Sequence, residues 1–158
     1  MSRAHVITVS DRAAAGQMED TSGPAVAAAL AGAGFEVGPV EVVPDEVARI
    51  ATAITGAAGA GCRLVVTTGG TGLGPRDVTP QATAPLLEYP VPGLAEAMRG
   101  AGMARTPLAA LSRGLAGVGG GALIVNLPGS LRGAMESLAA VLPALPHAVQ
   151  LLEGDTAH

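Results

Sequence analysis

The segment Thr68-Gly69-Gly70-Thr71-Gly72, followed closely by Arg76-Asp77, carries the clearest chemistry in this chain. Glycines let a backbone approach a ligand and take positive φ, so that consecutive N–H groups can point at an anion. Thr68 and Thr71 add hydroxyl donors. No lysine follows, so this is no Walker A loop, and the G-x-G-x-x-G spacing is missing. A flexible crossover is the plain alternative; phosphate binding is the reading preferred here. Arg76 then neutralises phosphate and Asp77 holds Mg²⁺, which favours carboxylate and phosphate oxygens. Against that, Arg76 and Asp77 are also what a surface ion pair needs, and Asp77 could serve only the helix predicted to start near Thr79. Asp45 supplies a second carboxylate, and is equally suited to be a helix N-cap.

Two more polar clusters follow predicted strands. Ser10-Asp11-Arg12 offers a hydroxyl, an acid and a guanidinium; turn chemistry explains the first two but not the third. Asn126, Pro128, Gly129 and Ser130 offer amide, backbone and hydroxyl contacts, with Ser130 also a helix-cap candidate. Arg99, Arg105 and Arg113 read as solvated charges or subunit contacts. His147 reads as packed, and the methionines as core filler. There is no G-x-S-x-G elbow, and Cys62 precedes its strand instead of ending it.

Composition narrows the function classes. The 158 residues hold 49% hydrophobic and 14% charged residues, enough for one α/β domain spanning 1–158. Phe35 and Tyr89 are the only aromatics, too few for a stacking platform on nucleic acid. A formal charge of −4 also lacks the basic footprint of a nucleic-acid binder. All nine basic residues are arginine, which excludes a P-loop lysine, a Schiff-base lysine and a lysine general base. One cysteine allows no internal disulfide. His5, His147 and His158 match no zinc spacing. No targeting segment is visible, and the uncharged stretches 114–131 and 137–152 are interrupted by proline, so no membrane association and a cytoplasmic location are expected.

The elements that must position these residues alternate in an α/β rhythm. Strands are predicted over Val6–Val9, Val37–Val43, Leu64–Thr67 and Ala122–Leu127, with the third central. Helices are predicted over Pro24–Ala33, with Pro24 at its first position, and over Glu46–Ala58. Further helices are expected after the cap Thr79, over Pro92–Met103, and from Ser130 to about Leu152, broken by Pro143 and Pro146. The glycine-rich stretch Leu111–Gly121 is expected as an antiparallel edge ribbon. If the strands are parallel, all four polar strand ends meet on one rim, where α/β sheets bind ligands.

The run Thr67-Thr68-Gly69-Gly70-Thr71-Gly72-Leu73-Gly74-Pro75-Arg76-Asp77-Val78-Thr79-Pro80 strongly resembles the signature of the molybdopterin adenylyltransferase family, which includes MogA, MoaB and the G domains of gephyrin and its plant counterpart. Val9-Ser10-Asp11-Arg12, Val43-Pro44-Asp45-Glu46, Thr106-Pro107 and Leu111-Ser112-Arg113 support it, and Leu123–Ser130 resembles the family's second signature. The turn Leu131-Arg132-Gly133 departs from the family, where many relatives have Pro followed by Lys. The resemblance implies a three-layer α/β sandwich with a mostly parallel sheet, an antiparallel edge and helices on both faces, assembled as a homotrimer. It implies Mg²⁺-dependent transfer of AMP from ATP to molybdopterin, with pyrophosphate released and a separate molybdenum-insertion enzyme as a partner. It makes Asp45 and Asp77 the catalytic and metal-binding pair. Ser10, Asp11, Arg12, Thr68, Gly69, Gly70, Thr71, Gly72, Arg76, Thr79, Asn126, Pro128, Gly129 and Ser130 become the substrate-binding set. Two other readings stand beside it: a non-catalytic molybdopterin carrier or scaffold of the same pathway, and a CinA-like enzyme acting on nucleotides.

Overall fold

Leu64–Thr68 is buried at every position, as a continuous apolar and β-branched run demands of a strand covered on both faces. It is β4 of a computed structural model that describes residues 1–156. The other strands are β1 (Arg3–Val9), β2 (Glu36–Val37), β3 (Glu41–Val43), β5 (Tyr89–Pro90), β6 (Ala116–Gly119) and β7 (Ala122–Leu127). The helices are α1 (Asp11–Ala14), α2 (Ser22–Gly32), α3 (Val47–Gly59), α4 (Thr79–Thr83), α5 (Pro92–Met103), α6 (Leu131–Val141) and α7 (Leu145–Leu152).

One seven-stranded sheet runs β2-β1-β4-β7-β6-β5, with β3 beside β2 on the same edge of β1. The β1, β2, β3, β4 and β7 pairings are parallel; β6 and β5 are antiparallel additions at the far edge. Alternate side chains divide two cores. Val6, Leu64, Val66, Leu123, Val125 and Leu127 meet α2, α5, α6 and α7 on one face. Ile7, Val65 and Ile124 meet Ile50, Ala53, Ile54 and Ala57 of α3 and Ala82 of α4 on the other. The fold is thus the expected three-layer sandwich. Register aligns the strand exits, with Thr8 beside Thr68, Thr68 beside Leu127, and Val9 beside Val43.

Several local expectations are corrected. The strand expected over Val37–Val43 is two short pieces, because Gly38-Pro39 interrupts it and proline has no N–H for the ladder. Helix α2 begins at Ser22, two residues before Pro24, and Asp20 accepts the Gly23 N–H at 3.0 Å near its start. The edge ribbon is narrower than Leu111–Gly121: β6 and β7 turn through Gly120-Gly121, whose φ values of 60° and 78° suit a type I′ hairpin. Strand β5 beyond it left no sequence signal, since it is two residues long and half proline. The closing helix is broken as expected, a 3₁₀ turn over Leu142–Ala144 separating α6 from α7. His147, expected to be packed, is exposed on α7. His158 lies outside the described residues.

By length and composition Leu131–Leu152 is the one stretch among the described residues able to cross a membrane. Here its buried row Ala134, Leu138, Val141, Leu145 and Val149 belongs to the core instead.

Asn126 ties the layers together. Its amide donates to Thr67 Oγ1 at 3.0 Å and Thr83 Oγ1 at 3.2 Å, and its Oδ1 accepts the Leu115 N–H at 3.1 Å. The residue is 1% exposed, so truncation takes the partner from the Leu115 N–H and from Thr67 Oγ1, while Thr83 Oγ1 keeps its bond to Thr79 O. Asn126→Ala should cost about 2–4 kcal/mol in a denaturant melt; a loss below about 0.5 kcal/mol would show the network to be dispensable.

Candidate functional site

The aligned exits of β1, β3, β4 and β7 open into one cleft of about 390 Å³. Thr8, Ser10, Asp20, Asp45, Thr68, Gly69, Gly70, Asp77, Gly129 and Ser130 are among its walls. Beside it, sharing Ser130, lies a second cavity of about 340 Å³. That one is walled by Ala95, Met98, Leu108, Ala109 and Leu111, with Arg99, Arg105, Ser112 and Arg132 also on its lining.

The glycine loop is fixed to the sheet by its backbone. Gly69 has φ +106°, and a Cβ there would sit 2.2 Å from the Val9 carbonyl oxygen, so only glycine fits. Its N–H donates to Leu127 O at 3.0 Å, and Thr79 Oγ1 donates to its carbonyl at 2.9 Å. Thr68 Oγ1 donates to Pro128 O at 2.7 Å, joining the loop to the β7 exit. The N–H groups of Gly70, Thr71, Gly72 and Leu73 find no acceptor among the described residues. Backbone donors left without partners at a solvent-accessible loop are what an anion would satisfy.

Asp45 is held by Asp11 in a reciprocal pair. The Asp11 N–H donates to Asp45 Oδ2 at 2.8 Å, and the Asp45 N–H to Asp11 Oδ1 at 2.9 Å. Arg76 grips both oxygens of Asp11, Nε at 2.9 Å and Nη2 at 3.0 Å. Asp77 Oδ2 accepts the Gly74 N–H at 2.9 Å. The Oδ1 atoms of Asp45 and Asp77 therefore accept no hydrogen bond among the described residues. Two carboxylates with one free oxygen each suit Mg²⁺, which is bound through one or two carboxylates plus phosphate oxygens and water; the donor set fits that ion.

The MoCF_biosynth family, described as "Probable molybdopterin binding domain", matches residues 5–147. The chain belongs to this family. The MoCF_biosynth fold is shared closely with the MoaB molybdopterin biosynthesis enzyme of Thermus thermophilus, at 54% identity and a TM-score of 0.91 over 98% of both chains. A molybdenum cofactor biosynthesis bifunctional protein of Synechococcus elongatus is 46% identical over 96% of this chain and 47% of its own. The chain thus spans about half the length of that relative. A molybdopterin adenylyltransferase of Helicobacter pylori is 40% identical over 95% of this chain and 87% of its own. The CinA protein of Thermoplasma acidophilum is more distant, with 25% identity and a TM-score of 0.70 over 91% of this chain and 98% of its own.

Within this MoCF_biosynth domain the candidate residues divide. Asp45, Asp77, Ser10, Thr68, Gly69, Gly70, Gly129 and Ser130 line the cleft. Asp45 is not a helix cap: Glu46 holds that position in α3, and the Asp45 carboxylate faces Asp11 and Gly70. Thr79 is inside α4, with Val78 as the cap. Ser10 and Ser130 do cap helices, accepting N–H bonds from Ala13 and Gly133. Asn126, Thr68 and Thr79 spend their side chains on the fold. Thr71 is 6% exposed. Pro128 borders the second cavity, as does Gly72. Asp11 binds Arg76 and Asp45, while Arg12 is exposed and is not among the residues lining the cleft. Arg76 pairs with Asp11, not with its neighbour Asp77.

Sequence reading missed three things. Asp20 lines the cleft with both oxygens engaged, by Thr8 and Gly23; the run Asp20-Thr21-Ser22-Gly23 was its only signal. The second cavity was not read as a site, although Thr106, Leu111, Ser112 and Pro128 on its lining belong to motifs quoted above. Arg113, read as a solvated charge or a subunit contact, donates into the glycine loop.

Burial raises the Asp45 pKa, aided by repulsion from Asp11 and Asp77 and opposed by the Asp11 N–H. The Arg76 hydrogen bond lowers that of Asp11. A raised folded-state pKa makes Asp45 favour folding below the ordinary carboxylate range, an advantage lost as pH rises through that range. Asp45→Asn should therefore melt at a higher temperature than the parent at pH 7. The difference should shrink in thermal melts as pH falls toward about 4 and be gone below it, where the parent Asp45 is also neutral. Equal melting temperatures at both pH values would remove the electrostatic strain from this account.

Proposed function

We propose that this chain acts in molybdenum cofactor biosynthesis by transferring AMP from ATP to molybdopterin. The observation that carries the proposal is that two half-free carboxylates, Asp45 and Asp77, share one cleft with Gly70, the first of four consecutive loop residues whose N–H groups lack an acceptor among the described residues. The terminal phosphate of molybdopterin attacks the α-phosphorus of ATP, a new P–O–P bond forms, and pyrophosphate leaves. That phosphate is already an oxyanion at neutral pH, so no strong base is needed. A site with no lysine and no histidine among its walls suits such a nucleophile.

What the reaction demands is charge neutralisation and alignment. The N–H groups of Gly70 to Leu73 would donate to phosphate oxygens, and dipoles held by a fixed backbone need no reorganisation as charge develops. Asp45 and Asp77 would hold Mg²⁺, which when bound supplies charge compensation for the phosphates. Arg76 is 61% exposed and held by an exposed aspartate, so it is available to exchange Asp11 for phosphate. The cleft and its neighbouring cavity meet at Ser130, giving adjoining space for two substrates. The ATP requirement fits a cytoplasmic location.

Leu108, Leu73, Met103 and Leu111 are 69%, 67%, 52% and 50% exposed. Apolar surface of this kind supports burial between subunits, and the assembly proposed is a homotrimer. Light scattering should return three times the 15.4 kDa of one chain; a monomeric mass would remove the trimer.

A single-turnover assay with molybdopterin, Mg²⁺ and α-labelled ATP tests the reaction. Label should appear on the pterin, and Asp45→Asn or Asp77→Asn should slow its transfer at least ~100-fold. Tight pterin binding without labelled product would replace the enzyme by a carrier.

A further inference from the structure

The loop from Gly72 to Arg76 is partly or fully exposed and carries no residue of either core. It is nonetheless held from outside: Asp11 takes the Arg76 side chain at one end, and Arg113, far along the chain, holds the backbone. Arg113 Nε donates to Gly72 O at 2.9 Å, Nη2 to Asp77 O at 2.8 Å, and Nη1 to Gln81 Oε1 at 3.2 Å. The Arg113 backbone N–H donates to Thr71 O at 2.8 Å. Three loop carbonyls therefore face Arg113. Every peptide bond here is trans, so the N–H across each bond points the opposite way. The Gly72 and Leu73 N–H groups are thereby turned away from Arg113, and these are two of the four that lack an acceptor.

Asp77 is fixed from the same side. Arg113 takes its carbonyl, Gly74 O accepts its N–H at 3.0 Å, and its Oδ2 accepts the Gly74 N–H. With both peptide neighbours pinned, the carboxylate has little freedom left. Among the described residues no carboxylate forms an ion pair with Arg113. Its charge is met only by carbonyl and amide dipoles, and so adds to the potential that attracts an anion to the loop.

We propose that Arg113 is a positioning residue, which aims the glycine-loop N–H groups and the Asp77 carboxylate at bound Mg²⁺·ATP; this rests on the adenylyl-transfer reading above. Only a planar fork reaches three separated acceptors at once. A lysine would reach one of them at a time.

The test measures Mg²⁺·ATP affinity by calorimetry and AMP transfer by the labelled assay, on the full chain and on Arg113→Lys, Arg113→Ala and Gln81→Ala. Arg113→Lys should keep the fold, yet weaken Mg²⁺·ATP binding and slow transfer by about tenfold to hundredfold. Millimolar guanidinium should restore part of the loss in Arg113→Ala, and the same concentration of ammonium should not. Gln81→Ala removes one contact of the fork and should cost only about two- to fivefold. If Arg113→Ala does not fold, Arg113→Lys and Gln81→Ala decide the matter. Parental affinity and rate in a folded Arg113→Lys would overturn the proposal. So would losses in Arg113→Ala that guanidinium and ammonium restore equally. A parent that binds Mg²⁺·ATP but transfers no AMP would refute adenylyl transfer alone, and Arg113 would then be judged on the binding of its variants. A parent that binds no Mg²⁺·ATP would remove both.

Discussion

The backbone of Gly69 lies so close to the Val9 carbonyl that no side chain can stand between them. That contact lets the β4 exit cross directly over the β1 exit and touch the β7 exit, through the Gly69 N–H on Leu127 and the Thr68 hydroxyl on Pro128. The cleft depends on it. With a larger residue at Gly69, the loop would lift from the rim, and its free N–H groups would lose their fixed relation to Asp45.

Charge in the cleft is balanced in an uncommon way. Four aspartates, Asp11, Asp20, Asp45 and Asp77, stand near the place where an anion is proposed to bind, and Arg76 is paired to one of them. Burial and mutual repulsion make Asp45 costly to ionise. Such an arrangement gains from a divalent cation, which would relieve the repulsion and meet the phosphates together. Strain of this kind is commonly concentrated where chemistry is done.

The sandwich was largely legible from the residues, because a parallel sheet covered on both faces imposes continuous β-branched runs, as in Leu64–Thr68. The glycine loop and the two acids stood out as candidates for a similar reason, since few residue types can hold a phosphate or its metal ion, and the fold brings Gly69, Gly70, Asp45 and Asp77 to one cleft. What escaped was of another kind. Asn126 looked like a ligand contact because its position after a strand says nothing about whether its amide is already spent, and it is spent on Thr67 and Thr83. Asp45 suited a cap as well as a ligand, because spacing cannot tell which N–H a carboxylate will meet.

Sequence by itself determined the strand and helix periods, the loop that must be glycine, and the identity of the acids, since these follow from local sterics and side-chain chemistry. Only the tertiary structure decided the partners: Asp11 with Asp45, Arg76 with Asp11, and Arg113 with a loop 36 residues before it. Hydrogen bonds between distant segments depend on where the sheet brings them. An arginine on the surface and an arginine gripping three loop carbonyls are written with the same letter.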